Sequence, residues 1–368
     1  MVPLKVLIID DSVVIRKMLS NCLESEPDIE VVGMASNGSI GLARIDQLNP
    51  DIVTLDVEMP VMDGLETLRA IRRTRKNLPV IMFSTLTERG AAITLDALSS
   101  GASDYVTKPA NMGNVSESLA QIRQQLIPRI RGLCRRDEPP VIRQSARTPE
   151  RTAIKPKTGT ERPPVKTDII AIGVSTGGPN ALASLFSKLR PDLPVPVVVV
   201  QHMPELFTRL LADRLNAVSP LLVREGEEGA VLKPGEAWLA PGGRHMEIVK
   251  SEHGFSLKLH QGPPENFCRP AVDVLFRSVA RMFGSHSIAV ILTGMGQDGL
   301  RGCELIADAG GYVMAQDQKS SVVWGMPGAV AHAGLARQLL PVDEIAVALN
   351  QFTGRGNTAA RAGSLIHS

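Results

Sequence analysis

Asp10 and Asp11 follow the apolar run 6–9, Asp56 follows 52–55, and Lys108 comes just after 104–106. If these runs are neighbouring parallel strands, all four side chains meet at one rim. Carboxylates about 4 Å apart repel by roughly 4 kcal/mol at an effective dielectric near 20, so the group calls for a cation. Mg²⁺ suits it, because that ion takes one or two carboxylates and leaves positions for water and phosphate. One carboxylate can then attack phosphorus and become an aspartyl phosphate, with Lys108 paired to the new phosphoryl oxygens. Asp56 is the best-placed nucleophile. Asp10 and Asp11 alone would also fit an inert acidic strand end; the addition of Asp56 and Lys108 favours the phosphate reading.

A second constellation begins at Gly173-Val174-Ser175-Thr176-Gly177, between an apolar run and the helical pattern 179–189. Flanking glycines permit a tight turn that exposes a serine hydroxyl beside a helix N-terminus, where developing negative charge is favoured. A phosphate-binding loop would use the same physics, but no Lys follows these glycines as that motif requires. His202 ends the next strand-like run and Asp298 lies in the Gly-rich loop after 287–293. A serine needs such a base, and the base an orienting carboxylate. Structural roles are open to each alone: a packed His, or an Asp that caps a helix. The order Ser, His, Asp differs from the Ser, Asp, His order of α/β-hydrolases.

The elements that must position these residues are legible as periodicity. Runs 6–9, 31–35, 52–55, 80–83 and 104–106 alternate with amphipathic stretches such as 14–23 and 64–73, the pattern of a doubly wound parallel sheet. The alternation resumes with 169–173, 195–201, 287–293 and 312–315. Short segments 237–240, 246–249 and 256–259 between them suggest a small antiparallel β-hairpin insert. Both halves are therefore expected to be doubly wound α/β units, with ligands outside the carboxyl ends of the strands.

Between them, residues 128–166 hold eleven Lys or Arg against four Asp or Glu, with many prolines. This reads as a basic flexible linker; an arm for nucleic acid or for acidic protein or lipid surfaces is the alternative. The expected organisation is 1–127 as a phosphoacceptor domain, 128–166 as linker, 167–353 as a hydrolytic domain, and 354–368 as a disordered tail.

A length of 368 residues allows two cores, and 43% hydrophobic with 21% charged residues is ordinary for a globular chain. A net charge of +2 does not suggest a general nucleic-acid binder. Cys22, Cys134, Cys268 and Cys303 form no CxxC pair and have no His partner at zinc-site spacing, so they read as reduced structural thiols. His245, His253 and His260 read as surface or packing residues. No apolar run approaches the length of a membrane span and no signal peptide opens the chain, so a cytoplasmic protein is expected.

Asp10-Asp11-Ser12, Asp56-Val57-Glu58-Met59-Pro60, Met62-Asp63-Gly64 and Thr107-Lys108-Pro109 resemble the two-component receiver family over about the first 125 residues. The resemblance implies the flavodoxin-like receiver fold, Asp56 as phosphoacceptor, and Mg²⁺ held by Asp11, Asp56 and the Glu58 backbone carbonyl, with Asp10 assisting through water. It places Ser84 and Tyr105 at switch positions; Thr85 adjoins Ser84, and either hydroxyl is a candidate to meet the phosphoryl group. A sensor histidine kinase is the implied phosphodonor.

Ser175-Thr176-Gly177-Gly178, Gln201-His202-Met203, Arg269-Pro270-Ala271-Val272-Asp273 and Thr293-Gly294-Met295-Gly296 with Asp298-Gly299 resemble the chemotaxis protein-glutamate methylesterase family from about residue 167 to 350. That resemblance implies Ser175 as nucleophile, His202 as base, Asp298 as its orienter and the Met295 N–H in an oxyanion hole. It implies hydrolysis of glutamate methyl esters, and deamidation of glutamines, on chemoreceptors, with recruitment to receptor arrays and no cofactor for the ester step. The receiver is expected to cover the Ser175 rim until Asp56 is phosphorylated. Two other readings are a regulator that binds receptor or kinase as a phosphate sink, and a DNA-binding response regulator. The intact triad opposes the first and the absence of a helix-turn-helix pattern the second.

Overall fold

The computed structural model describes residues 2–108, 115–134 and 166–354. Its contacts divide the chain into two compact units, on either side of residues 137 and 138. Among the described residues, no helix is long and apolar enough to cross a membrane.

The first unit alternates strictly: β1 Leu4–Ile9, α1 Val13–Glu24, β2 Ile29–Ala35, α2 Gly38–Leu48, β3 Ile52–Asp56, α3 Gly64–Thr74, β4 Val80–Ser84, α4 Glu88–Ser99, β5 Asp104–Thr107 and α5 Val115–Cys134. The five strands are parallel in the order β2-β1-β3-β4-β5. Strands β3 and β4 are buried along their whole length, as expected when helices cover both faces of a sheet. Helix starts are local: Ser12, Asn37 and Thr87 each accept a backbone N–H from the first turn, and Asp63 with Glu66 forms a capping box.

Helix α5 corrects one expectation. It continues through Pro128 to Cys134, so residues 128–134 are helix and not the start of the linker. Ile122, Leu126, Ile127, Ile130 and Leu133 repeat at helical spacing and are all buried. Arg129 bonds Asp104 at 2.9 Å and Arg131 bonds Asp28 and Glu26 at 2.7 and 2.6 Å. A proline inside a helix costs about 3 kcal/mol; burial of the two large apolar side chains beyond it, Ile130 and Leu133, at roughly 1.5–3 kcal/mol each offsets that. Residues 135–165 of the expected linker lie outside the described residues, as do 355–368 of the expected tail; Gly354, expected to open that tail, is instead the last residue of the final helix.

The second unit comprises β6 Ile169–Val174, α6 Gly178–Phe186, β7 Val197–Gln201, α7 Glu205–Val218, β8 Leu222–Glu225, β9 Glu236–Leu239, β10 His245–Ser251, β11 Gly254–His260, α8 Val272–Phe283, β12 Ser287–Ile291, α9 Leu300–Asp308, β13 Tyr312–Gln316, α10 Met326–His332, β14 Gln338–Leu340 and α11 Val342–Gly354. Seven strands form a parallel sheet in the order β14-β13-β12-β6-β7-β9-β8. The antiparallel insert is the pair β10 and β11 alone. Residues 237–239, expected to belong to that insert, instead pair in parallel with β7. The pattern of so short a run does not reveal its partner; in the fold Ala237, Trp238 and Leu239 are buried and lie between β7 and β8, parallel to both.

The hairpin contributes to the main core. Met246, Ile248 and Leu257 are buried with Val272, Leu275, Phe276 and Val279 of α8, and the Ser278 hydroxyl accepts the Ile248 N–H at 2.9 Å. This packing brings the N-terminus of α8 to the carboxyl edge of the sheet.

Candidate active site

Strand order reverses between β1 and β3 in the first unit and, at the centre of the sheet, between β6 and β12 in the second. Crevices open at such points at the carboxyl ends of the strands.

In the first unit, Lys108 Nζ lies 2.8 Å from Asp56 Oδ2 and 3.1 Å from Asp10 Oδ2. Its own backbone N–H donates to the Ser84 carbonyl at 2.6 Å, which ties the β5 end to β4. Asp10, Asp11 and Asp56 each offer a carboxylate oxygen within 4.8 Å of the others. Burial, with Asp10 repulsion added, overcomes Lys108 and raises the Asp56 pKa to about 6; Asp10 is raised as well, chiefly by burial. Lys108 is held above its ordinary value because these carboxylates outweigh its burial. One ammonium therefore underbalances the site, and three hard oxygen donors in this arrangement fit Mg²⁺. Glu58 is half-exposed at its side chain, 3.5 Å from Arg89, so only its backbone is free to turn inward.

The residues expected at switch positions divide by environment. Ser84 is buried and its hydroxyl lies 3.2 Å from the carbonyls of Thr85 and Gly90, while the exposed Thr85 hydroxyl lies 3.3 Å from that of Thr87. Tyr105 is buried, and burial with the nearby Asp104 pushes its phenol upward.

In the second unit, Ser175 follows β6, His202 follows β7, and the loop after β12 carries Met295 and Asp298. Register sets them side by side: Val174 pairs with Gln201, the His202 N–H donates to the Val174 carbonyl at 3.2 Å, and the Ser175 N–H donates to the Thr293 carbonyl at 3.0 Å. The Gln201 amide donates to the Ser175 carbonyl at 3.0 Å and braces the turn. Gly177 has φ +77, a left-handed conformation that favours glycine. A Cβ on Gly294 would stand 2.8 Å from that of Ser175 and 2.5 Å from the Met326 sulfur, so only glycine lets the two loops approach.

His202 Nε2 lies 2.8 Å from Asp298 Oδ2. Asp298 is saturated with donors: Oδ2 also accepts the Val272 N–H at 2.6 Å, and Oδ1 accepts from Asn266 Nδ2, Gly299 N and Asp273 N at 2.8, 3.0 and 3.1 Å. It thus caps α8, not its own helix α9, and the positive end of the α8 dipole supports its charge. Burial alone would raise its carboxyl, yet His202 and these donors hold it below the ordinary value. Burial opposes charge on His202 too, but Asp298 and the nearby Cys268 sulfur outweigh it and raise the imidazole. Asp273, also buried and repelled by Asp298, is raised to about 6; Asn266 donates to both carboxylates and separates them.

The Gly294 carbonyl accepts from Gly325 and Met326 at 3.0 and 2.8 Å, which turns the other end of that peptide, the Met295 N–H, the opposite way. Among the described residues, neither the Met295 N–H nor the Ser175 hydroxyl makes a hydrogen bond. Asn266 and Cys268 are not visible as site residues in the sequence; their proximity to the Arg269-Pro270 motif was the available signal. His245 packs, as expected, between the Pro263 carbonyl and the Ala271 N–H.

With this geometry in view, the relatives are informative. Residues 6–120 match the response regulator receiver domain and residues 170–349 match the CheB methylesterase family. The chain belongs to the CheB methylesterase family. A protein-glutamate methylesterase/protein-glutamine glutaminase of Trichodesmium erythraeum is 52% identical over 342 residues, covering 93% of this chain and 97% of the relative. A protein of the same name from Bacillus subtilis is 42% identical over 350 residues, covering 94% and 97%. The catalytic domain of Thermotoga maritima CheB methylesterase, known as a crystal structure, is 41% identical, covers 50% of this chain and 98% of its own, and superposes with a TM-score of 0.50.

Proposed function

We propose that this CheB family chain removes methyl esters from chemoreceptor glutamates, releasing methanol, and deamidates receptor glutamines, at a rate set by phosphorylation of Asp56. The observation that carries the reading is the elbow serine beside a donor-saturated His202–Asp298 couple at the switch point of the second unit. Relatives bearing the methylesterase/glutaminase name match over 93% of the chain.

In this reading Ser175 Oγ attacks the ester carbonyl and gives its proton to His202. With Nε2 held by Asp298, Nδ1 is the nitrogen left to accept it; the serine–histidine hydrogen bond forms when substrate enters, as such contacts commonly do. Asp298 stabilises the imidazolium, and the Met295 N–H receives the oxyanion. The tetrahedral intermediate collapses, the C–O bond to methoxide breaks, and the His202 proton leaves with it as methanol. Water then attacks the acyl-serine through the same groups, which yields glutamate and free Ser175. Deamidation follows the same route with ammonia leaving.

At the receiver, Asp10, Asp11, Asp56 and the Glu58 carbonyl would hold Mg²⁺, which when bound neutralises charge for in-line phosphoryl transfer. Asp56 takes the phosphoryl group from a sensor histidine kinase, Lys108 pairs with it, and Ser84 or Thr85 with Tyr105 transmits the change. Action is at the cytoplasmic helices of chemoreceptors, without membrane insertion. The test is methanol release from methyl-labelled receptors with and without a phosphodonor: release stimulated by the donor is expected, and absence of release in both conditions would reject the assignment.

A further inference from the structure

Cys268 does not belong to the hydrolytic machinery described above, yet the fold carries it to that machinery's centre. One ligand atom each of His202, Cys268 and Asp298 lies within 4.8 Å of the others. Imidazole nitrogen, thiolate sulfur and carboxylate oxygen are the three donor types that bind zinc, at about 2.0–2.3 Å. On one tetrahedral ion such donors sit roughly 3.3–3.6 Å apart, so shifts of about 1 Å bring all three into range. The site is reachable: His202 retains 12% side-chain exposure and Cys268 is half-buried.

We propose that His202, Cys268 and Asp298 form a binding site for a thiophilic divalent cation, Zn²⁺, which occupies the general base and switches the hydrolase off. Three features of the site support it. Asp298 is already oriented by the Val272, Asp273 and Gly299 N–H groups and by Asn266, the outer support that keeps a ligating carboxylate in place. The donors of the receiver cluster are all oxygens, a set that suits Mg²⁺, so the two sites differ in the softness of their donors. Finally, three protein ligands leave the fourth position to water. Binding releases the thiol proton to solvent, and the imidazole coordinates as the neutral ring through Nε2, with its one proton on Nδ1, the nitrogen that would otherwise accept from Ser175. With its imidazole coordinated, His202 no longer accepts the Ser175 proton.

The metal site itself stands on geometry; only the inhibition rests on the hydrolase reading, and the two separate experimentally. Reduced full-length chain, with Mg²⁺ in excess to fill the receiver, is titrated with Co²⁺ as a spectroscopic substitute. A thiolate-to-cobalt charge-transfer band is expected in the near ultraviolet, bleached by Zn²⁺, lost in Cys268→Ser and kept in Cys134→Ser. In the unmodified sequence, Zn²⁺ should also protect Cys268 from alkylation, read by mass spectrometry, which does not depend on how any variant folds. At free Zn²⁺ ten times its Kd, methanol release should fall about tenfold, recover with EDTA, and need at least about tenfold more Zn²⁺ in Cys268→Ser, each compared with its own zinc-free rate. No band and no protection would overturn the site, as would a band of equal strength in Cys268→Ser. A band without any hydrolysis to inhibit would instead count against the hydrolase reading.

Discussion

The two switch points share an architecture and have opposite electrostatics. At the first, Asp10 and Asp56 are buried at a strand edge with a single ammonium between them, and both carboxyl groups are raised. At the second, Asp298 is as deeply buried but receives four N–H donors and an imidazole, and its carboxyl is lowered. Burial acts upward in both; the number of donors decides the sign. A carboxylate short of donors needs a cation or a phosphoryl group to offset its charge, whereas one surrounded by donors keeps its charge without one and can hold an imidazole in place. Two open parallel sheets therefore present carboxylates of opposite character at corresponding edges.

The sharpest break in this comparison is to remove the nucleophile. Ser175→Ala should lower methanol release by a factor on the order of 10⁴ or more while leaving Asp56 phosphorylation unchanged, measured with a labelled phosphodonor. Undiminished release would remove Ser175 from the mechanism.

Asp298→Asn tests the donor-saturated side. Loss of the charge should cost on the order of 10³–10⁴ in kcat. Asp298 raises the His202 pKa, and the base must be neutral to act, so activity rises as pH climbs through that value. In the variant the midpoint of kcat/KM against pH should move to lower pH, and a shift upward would contradict the assigned role.

Asp56→Asn tests the donor-poor side. Phosphodonor stimulation should vanish, as read by methanol release. Stability should change as well. With Asp56 raised to about 6 in the folded state against 3.8 unfolded, the folded state holds the proton more tightly. Its contribution is therefore full below pH 3.8 and lost as pH rises through 6. Removal of the charge should stabilise the receiver at pH 7 by up to about 2–3 kcal/mol and leave it unchanged near pH 3.5. Slower hydrogen exchange in β1 and β3 at the higher pH, with Mg²⁺ producing a similar effect in the unsubstituted chain, is the expected readout.

The smallest effect is expected at Asn266→Ala. The loss of its two hydrogen bonds leaves Asp273 and Asp298 facing each other and should cost about 1–2 kcal/mol, roughly 5- to 30-fold in kcat. Asn266→Gln, which restores an amide, should recover part of it.

Much of the fold was legible because it is written in local pattern. The runs around Val6, Ile52 and Val80, and those around Ile169 and Val197, are buried apolar strands as their composition required, and each delivers its polar residue to the predicted edge. The helix through Pro128 was obscured because proline is a strong local signal, and the buried Ile130 and Leu133 beyond it outweigh it only when the sheet is present. Residues 237–239 were legible as a strand but not as a parallel one, since pairing depends on β7, some 40 positions away.

By itself the sequence determined where the strands, the serine elbow and the acidic ends lie, because burial of apolar side chains at regular spacing needs only neighbours along the chain. Tertiary structure alone decided which buried carboxylate is relieved of its charge penalty and which is not. It set Asp298 over the first turn of α8, put Asn266 between two carboxylates, and brought Cys268 to His202 across 66 residues of chain. Electrostatic environment is a sum over whatever groups the fold gathers, and no local pattern contains that sum.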